Sequence, residues 1–359
     1  MRRAIVFTGG GTAGHVTVNL ALIPHFIRNG WEVHYIGSVS GIERELVSNL
    51  DQVTYHGIST GKLRRYLDWN NAKDPFRVMK GVWQSWRLLG AIRPDVVFSK
   101  GGFVSVPVVA GAWLRRIPAV IHESDLTPGL ANRLAVPLAA RVLTTFPETE
   151  RHLPQGKTSY IGAVVRDELF RGDAARGRSV CGFVRSKPIL LVMGGSQGAR
   201  SINEAVRQRL AQLTEKFQII HLCGKGNVVP GLDTRAYRQF EYVTDELPDL
   251  LAAADVVVTR AGANTIFECY ALKKPMLLIP LPLSASRGDQ LANAESFRRR
   301  GAAEVLQEEA LDGDALVQAV TSLYENRAQY AAAMEEGNGS ESKRQLIEWI
   351  ERTARKRPR

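Results

Sequence analysis

Cysteine is scarce in this chain of 359 residues, with three copies at Cys181, Cys223 and Cys269. They lie far apart in the sequence, and none belongs to a Cys-x-x-Cys pair. An odd number of scattered cysteines favours neither a disulfide framework nor a zinc site. We therefore expect free thiols in a reducing compartment such as the cytosol.

Long apolar runs are also missing. A membrane-spanning helix needs roughly 18 consecutive apolar residues, and the nearest candidate, residues 104–121, is interrupted by Arg115 and Arg116. The charged start of the chain is followed after a few residues by glycines, where a signal peptide would continue with an apolar core. We expect a chain that neither spans a membrane nor is secreted.

Positive charge is in excess, but it is unevenly distributed. The net charge is +11, with +8 in residues 1–165, −2 in residues 166–342 and +5 in residues 343–359. Residues 62–93 alone carry +6. A basic excess is typical of nucleic-acid-binding proteins, but the aromatic residues do not interleave with basic ones as in an RNA-binding signature. We expect no nucleic-acid partner.

Apolar runs alternate with helical patterns, which predicts β-α-β units and parallel sheets. Hydrophobic residues make up 45% of the chain, and its length is typical of two packed domains. The predicted strands are residues 4–8, 33–36, 95–98, 119–122 and 141–144, then 188–193, 218–221, 255–259 and 275–279. We expect two Rossmann-like domains that meet near a polar stretch at residues 166–186, with a ligand cleft at the carboxyl ends of both sets of strands.

The first strand runs into a glycine loop at residues 9–14, which fits the Gly-x-Gly-x-x-Gly fingerprint of dinucleotide-binding proteins. A dinucleotide site also needs an acid at the end of the second strand, yet the first carboxylate there is Glu43. A hydride-transfer enzyme is therefore less favoured. His15 opens the following helix, predicted at residues 15–29, and a helix N-terminus lowers the pKa of an imidazole. His15 is either a neutral base or a capping and packing residue.

Two further glycine loops follow strands in the second half, at residues 194–199 and 259–268. In the latter, the helix N-terminus near Thr265 can receive a diphosphate. Glu268, one turn further along, can accept two hydrogen bonds from a ribose diol. Three such loops in one chain favour a nucleotide-diphosphate ligand.

Together these motifs resemble a known family. They are GGTAGH at residues 10–15, KGGFVSVP at 100–107, HESD at 122–125, GGSQGA at 194–199 and RAGANTIFE at 260–268. In this order they resemble the MurG family, peripheral-membrane N-acetylglucosaminyltransferases that convert lipid I to lipid II in peptidoglycan synthesis. The resemblance runs from about residue 4 to residue 305.

The resemblance implies a GT-B fold of class α/β, in which two Rossmann-like domains with parallel sheets face a central cleft. It implies an acceptor-binding, membrane-facing domain at residues 1–165 and a UDP-GlcNAc-binding domain at residues 166–341. A C-terminal helix and basic tail at residues 342–359 would return to the first domain.

The resemblance also implies a set of donor-binding residues. Around UDP-GlcNAc they are Ser196 and Gln197 near the phosphates, Val243 near the uracil, Glu268 at the ribose, Ala263, Asn264 and Thr265 along the diphosphate and sugar, Arg166, Asp289 and Gln290 with Asn293 nearby, and Thr12, Ala13 and Gly14 from the opposite domain. Asp125, also assigned to the substrate site, stands where the family carries Asn. Asp289 and Gln290 replace a Gln-Gln pair.

The implied reaction joins an α-linked donor to a β-linked product, which requires one inverting displacement. The 4-hydroxyl of the acceptor loses a proton as it attacks, and His15 is our candidate catalytic base. No Asp-x-Asp element stands where it would hold a catalytic metal, so we expect no metal or other cofactor. Backbone N–H groups, helix N-termini and Arg or Ser side chains would stabilise the departing UDP.

A helix predicted at residues 75–92 carries two apolar stripes. One is aliphatic and consists of Val78, Val82, Leu89 and Ile92. The other is aromatic, lies within an arc of about 80° at 100° per residue, and consists of Phe76, Met79, Trp83 and Trp86. Lys80 and Arg87 border it, a composition typical of an interfacial membrane anchor. The alternative is that both stripes are core. We expect the aromatic stripe to face an anionic membrane surface, at the cytoplasmic side of the cell membrane.

Two alternatives stay open on the sequence alone. They are another family-28 type glycosyltransferase acting on a lipid acceptor and a UDP-GlcNAc 2-epimerase with the same two-domain plan. UDP release that depends on lipid I would distinguish the lipid I transferase from these.

Overall fold

The computed structural model describes residues 2–12, 14–48, 50–61, 70–195, 198–334 and 339–355, with the backbone alone described at residues 70–73 and 339–340. Of the predicted site residues, Ala13, Ser196 and Gln197 lie outside the described residues. The chain folds into two compact units, an N-terminal unit, Met1–Val164 with Ser340–Arg359, and a C-terminal unit, Val165–Gly339.

In the N-terminal unit, the described residues form a parallel sheet in the order β3-β2-β1-β4-β5-β6-β7. In chain order the elements are β1 (Ala4–Thr8), α1 (Gly14–Arg28), β2 (Glu32–Ser38), α2 (Ile42–Ser48), β3 (Val53–Ile58), α3 (Asn70–Ile92), β4 (Val96–Ser99), α4 (Ser105–Leu114), β5 (Ala119–Glu123), α5 (Leu130–Ala135), β6 (Arg141–Thr144) and β7 (Thr158–Tyr160).

Helices cover both faces of this sheet, so its central strands are buried and mostly apolar. Ile5 and Phe7 of β1 point into one buried cluster, and Val6, between them, points into another, as the alternation of side chains along a strand requires. The last helix of the chain contributes Leu346 and Ile350 to the first of these clusters. The C-terminal segment is therefore part of the N-terminal unit's core.

In the C-terminal unit, the described residues form a second parallel sheet in the order β10-β9-β8-β11-β12-β13. Its elements are α6 (Ala174–Cys181), β8 (Ile189–Met193), α7 (Arg200–Gln208), α8 (Leu210–Lys216), β9 (Gln218–Leu222), β10 (Tyr237–Phe240), α9 (Leu247–Ala253), β11 (Val256–Thr259), α10 (Ala263–Ala271), β12 (Met276–Leu278), α11 (Asp289–Arg299), β13 (Ala303–Val305), α12 (Gly313–Glu325) and α13 (Arg327–Ala333); α14 (Gly339–Thr353) follows.

The polar stretch at residues 166–186 is packed structure. It contains a 3-10 turn, Asp167–Arg171, and the helix α6. Asp173 caps α6 by accepting hydrogen bonds from two backbone N–H groups of its first turn. Asp249 of α9 accepts a hydrogen bond from Asp173 N–H at 2.7 Å and forms an ion pair with Arg176. The segment therefore belongs to the folded C-terminal unit.

The helix α3 begins five residues before the predicted start at Pro75. It packs against α4 along a face of small or apolar residues, which includes Gly81, Ser85 and Leu89. Among the described residues, no helix combines the length and the apolar character that a bilayer crossing requires.

Candidate active site

The glycine loop after β1 is held by a buried carboxylate, Glu43 of α2. Its Oε2 accepts a hydrogen bond from Gly11 N–H at 3.2 Å, and its Oε1 accepts from Ser38 N–H at 2.9 Å and from the Ser38 hydroxyl. A Cβ on Gly10 would lie 2.4 Å from the Glu43 carboxyl carbon. The Gly11 N–H is thus bonded within the protein, and the acid that a dinucleotide site would direct to a ribose faces the loop instead.

His15 is the second residue of α1, beside this loop. Burial and the neighbouring Lys100 ammonium lower the pKa of His15 to about 4, against a hydrogen bond to the Lys100 backbone and the Glu43 carboxylate, which both raise it. The low pKa of His15 therefore results from burial and from the Lys100 charge, and not from the helix N-terminus alone. Because one ring nitrogen is bonded to a backbone carbonyl, the neutral ring keeps a lone pair on the other.

The loop after β5 lies at the same edge of the sheet and is fixed by Glu123. Its Oε1 accepts from Asp125 N–H at 3.0 Å, and its Oε2 accepts from Gly129 N–H at 3.0 Å and Asn132 Nδ2 at 2.8 Å. Burial raises the pKa of Glu123, and Asp125 adds to this effect. The carboxyl ends of β1, β4 and β5 thus bring Thr12, Gly14, His15 and Asp125 to one edge of the N-terminal unit.

Lys100 follows β4 at this edge, and its ammonium donates a hydrogen bond to Ser124 Oγ. Its backbone N–H donates to the Thr8 carbonyl at 3.0 Å. The next loop approaches the first one closely, since a Cβ on Gly102, whose φ is +81°, would lie 2.2 Å from the Gly10 carbonyl oxygen. Lys100, Glu123 and Glu43 are residues that our site prediction did not include.

In the C-terminal unit, the loop between β11 and α10 is fixed from three sides. Arg260 donates to the Ile279 carbonyl at 3.2 Å, to Ser201 Oγ at 3.0 Å and to the Glu308 carboxylate. Asn293 donates from Nδ2 to the Ala261 carbonyl at 3.2 Å. Gly262 is the N-cap of α10 and has no side chain to cap the helix.

The N-terminus of α10 carries three of the predicted donor residues. Backbone N–H groups in the first turn of a helix have no partner within the helix, and their partial positive charge favours an anion. The first turn consists of Ala263, Asn264 and Thr265. The rigid loop before the helix therefore presents a turn of backbone donors that suits a phosphate group.

Glu268 and Arg166 are brought together, as an ion pair. Arg166 Nε donates to Glu268 Oε1 at 3.0 Å, and both side chains are largely buried. Burial raises the pKa of Glu268, while the Arg166 guanidinium opposes that effect. The ion pair orients a carboxylate one turn beyond the N-terminus of α10.

The remaining predicted donor residues lie at α11 and beyond β10. Gln290 Oε1 accepts from Leu281 N–H at 3.1 Å, and Asp289 Oδ1 accepts from Arg287 N–H at 3.3 Å. The carboxamide of Gln290 thus anchors the loop after β12 through its oxygen and keeps its N–H groups as donors. Val243 is buried.

The aromatic stripe of α3 is exposed. Phe76 is 72% exposed, Met79 67%, Trp83 54% and Trp86 38%. The Arg87 guanidinium lies 5.1 Å from the centre of the Trp83 ring, and that of Arg115 lies 3.8 Å from the Trp86 ring. Val78, Val82 and Ile92 of the aliphatic stripe are partly buried, and Leu89 is fully buried. The alternative in which both stripes are core is therefore wrong.

Metal-ligating groups were sought within the described ranges, and no three His, Cys, Asp or Glu side chains converge there as an ion site would require. Each cysteine is a buried free thiol. Burial raises the pKa of Cys181 to about 11 and of Cys269 to about 12, so these thiols are protonated at neutral pH.

Comparison with known proteins agrees with this arrangement. Residues 5–144 match the model of the glycosyltransferase family 28 N-terminal domain, and residues 189–350 match that of the C-terminal domain. A curated relative from Geobacillus kaustophilus is 58% identical over 356 residues, which cover 99% of this chain and 100% of the relative. The chain belongs to the MurG family of family-28 glycosyltransferases.

The relatives of this family-28 glycosyltransferase share one name. The Geobacillus protein is called UDP-N-acetylglucosamine--N-acetylmuramyl-(pentapeptide) pyrophosphoryl-undecaprenol N-acetylglucosamine transferase. A Bacillus anthracis protein of the same name, numbered 2, is 52% identical over 349 residues, covering 97% of this chain and 99% of the relative.

Solved structures share the GT-B fold of this glycosyltransferase. Acinetobacter baumannii MurG aligns with a TM-score of 0.75 and 24% identity, covering 98% of this chain and 100% of that one. A UDP-GlcNAc 2-epimerase from Neisseria meningitidis aligns with a TM-score of 0.69 and 13% identity, covering 98% and 100%. At these identities the likeness shows the fold alone, which transferases and epimerases share.

The role of Glu43 in this glycosyltransferase can be tested by Glu43→Gln. The carboxamide would direct an NH2 group at backbone N–H donors of Gly11 or Ser38, so a buried donor would lose its partner. We expect a loss of about 1–3 kcal/mol in the free energy of unfolding, measured by urea denaturation. Glu45→Gln, on the exposed side of α2, is the matched control and should stay within about 0.5 kcal/mol. Equal unfolding midpoints for the two variants would contradict the role.

Proposed function

We propose that this protein transfers N-acetylglucosamine from UDP-GlcNAc to the 4-hydroxyl of the MurNAc residue of lipid I, giving lipid II for peptidoglycan synthesis. The observation that carries the proposal is the 58% identity, over nearly the whole of both chains, to a relative named for this transfer. The two sites at the strand ends add chemical support, because one suits a general base and the other a nucleotide diphosphate.

We propose His15 as the catalytic base. Its pKa of about 4 keeps the ring neutral at neutral pH, and a neutral ring nitrogen can accept the proton that the acceptor hydroxyl loses during the displacement. The imidazolium so formed would face the Glu43 carboxylate, whose charge favours protonation. Thr12, Gly14 and Asp125 lie at the same edge of the unit, and we propose that they contact UDP-GlcNAc.

For the donor, we propose that the N-terminus of α10 binds the diphosphate and that Glu268 accepts hydrogen bonds from the ribose hydroxyls. Arg166 donates a hydrogen bond to Glu268 and holds its carboxylate in place. Since the two side chains are in contact, we propose that a donor bound at Glu268 also contacts Arg166. Ser196 and Gln197 are proposed near the phosphates, Val243 near the uracil, and Asp289 and Gln290 at the sugar hydroxyls. As UDP departs, its negative charge would be stabilised by the helix N-terminus.

We also propose that the aromatic stripe of α3 contacts the membrane that carries lipid I. Exposed Phe, Met and Trp side chains beside cations are typical of a surface that inserts into the interfacial region of a bilayer. The flanking Lys80 is exposed, and Arg87 lies over Trp83. Each basic residue near an anionic lipid surface contributes roughly 1 kcal/mol to binding.

The proposed activity is tested by UDP release from UDP-GlcNAc with and without a soluble lipid I analogue. We expect release that requires the analogue and a disaccharide product bearing one added GlcNAc. An epimerase would instead convert the sugar nucleotide without any acceptor. Acceptor-independent conversion, or no UDP release with the analogue, would overturn the proposal.

His15→Ala should lower kcat on the lipid I analogue by roughly 10²- to 10⁴-fold, the usual contribution of a positioned general base. His25→Ala, on the same helix but in its last turn, is the matched control and should turn over like the wild type. A His15→Ala enzyme within a few-fold of the wild type would show that another group takes the proton.

The double variant Trp83→Glu/Trp86→Glu should lose co-sedimentation with phosphatidylglycerol vesicles, since it places two anions on the proposed contact surface. Val184→Glu changes a residue that is 56% exposed in the other unit and should bind like the wild type. UDP release with a soluble acceptor reports whether the double variant is folded. Undiminished vesicle binding by a folded double variant would remove α3 from the membrane contact.

A further inference from the structure

The buried ammonium of Lys100 lies at the carboxyl end of β4, and the proposed mechanism gives it no role. The residue is 2% exposed, and among the described residues no carboxylate lies within 4 Å of its ammonium. Glu123 and Asp125 act on it from farther away, and burial lowers its pKa. A buried cation without a close counter-ion destabilises the folded protein. We therefore ask what the contacts of Lys100 do for the site.

Those contacts determine how Ser124 presents its hydroxyl. A lysine ammonium has three donors and no acceptor, so Ser124 Oγ accepts from Lys100. The Ser124 hydroxyl can then donate its own hydrogen to a different group, and within the described ranges no acceptor bonds to it. Ser124 is 8% exposed and directly follows β5. It therefore offers an O–H donor that a neighbouring cation polarises.

The same lysine also orients His15. The His15 ring is hydrogen-bonded to the backbone of Lys100, while the side chain of Lys100 holds Ser124. Lys100 thus links two groups at the carboxyl ends of β1, β4 and β5: a hydrogen-bond acceptor, the second nitrogen of the neutral His15 ring, and a hydrogen-bond donor, the Ser124 hydroxyl. Neighbouring oxygens on a sugar ring, one donating and one accepting, are complementary to such a pair.

We propose that Ser124 is a further acceptor-binding residue, which donates a hydrogen bond to the sugar oxygen next to the attacking 4-hydroxyl, and that Lys100 is the positioning residue for Ser124 and His15. This inference rests on the proposed function, since it takes the acceptor to be the sugar of lipid I. Lys100 acts through the two side chains it holds and makes no contact with the substrate itself.

Steady-state kinetics with the lipid I analogue test the contact. Ser124→Ala should raise the acceptor KM by about 3- to 30-fold, the range expected for a hydrogen bond from a polarised donor, and leave the UDP-GlcNAc KM within twofold. Ser85→Ala, a buried serine of α3 away from this edge, is the matched control and should change neither. An acceptor KM within twofold of the wild type for Ser124→Ala would overturn the contact.

A double-mutant cycle tests whether Lys100 acts through Ser124. Lys100→Met should raise the acceptor KM at least as much as Ser124→Ala, and Lys100→Met/Ser124→Ala should be no worse than Lys100→Met alone. Lys100→Arg should recover part of the loss, because it keeps a donor and a charge. If the two effects on KM multiply in the double variant, the residues act independently and the positioning role is wrong.

The pH profile separates this role from a merely structural one. The charges that face His15 are Lys100, from the end of β4, and Glu43, from α2. Removing the Lys100 cation raises the pKa of His15, so the acid limb of kcat/KM should move from about pH 4 to higher pH in Lys100→Met and stay in place in Ser124→Ala. An unmoved limb in a folded Lys100→Met enzyme would contradict the electrostatic part of the role.

The outcomes for the wild type and the variants separate the two proposals. If the wild type releases no UDP with the analogue, the proposed function fails and this inference fails with it. If the wild type turns over and Ser124→Ala matches it, the inference alone is wrong.

Discussion

Parallel strand pairing is the constraint on which the rest of this structure depends. Two neighbouring parallel strands need a crossover connection that carries the chain from the carboxyl end of one strand back to the amino end of the next. All the loops that follow the strands therefore lie at the same end of the sheet. In the N-terminal unit this gathers the loops after β1, β4 and β5, and in the C-terminal unit it gathers the loops after β11 and β12. Residues far apart in sequence therefore converge, and the glycines allow their backbones to approach closely.

Buried charge then sets the chemistry of each edge. In the N-terminal unit, the Lys100 cation lowers the pKa of His15 and the Glu43 anion raises it. Glu43 itself accepts hydrogen bonds from backbone N–H groups, which hold its carboxylate in one orientation, facing the loop. In the C-terminal unit the carboxylate that matters, Glu268, is paired with Arg166. His15 and Glu268 thus each interact with a charged partner from another segment of the chain.

The sequence allowed the central strands and their glycine loops to be predicted, because both leave a local signal. The strands β1 and β6 have the predicted bounds, since strands buried on both faces are continuous apolar runs. The edge strands β3, β7, β10 and β13 were not predicted. Their patterns are short or half-buried, and pairing with a neighbour, rather than composition, makes them strands.

The site shows the same division. His15 and Glu268 follow glycines at helix starts and could be picked out from local spacing, and the resemblance supplied the other assignments. Lys100 and Glu43 could not be picked out in this way, because the role of each depends on a hydrogen-bond partner that lies 24 or 32 residues away in the chain. A lysine directly after an apolar strand and before two glycines was the available signal, because such a position places a cation at the carboxyl edge of a parallel sheet.

The net charge of +11 gains its meaning from the same folding constraint. The segments that carry +8 and +5 are separated in sequence by a segment of −2, yet α14 packs Leu346 and Ile350 into the core beneath β1. The core contact of α14 therefore assigns both basic segments to the N-terminal unit. That unit also exposes the aromatic stripe of α3. The basic excess and the exposed tryptophans thus belong to one body, which is the combination that attraction to an anionic surface requires.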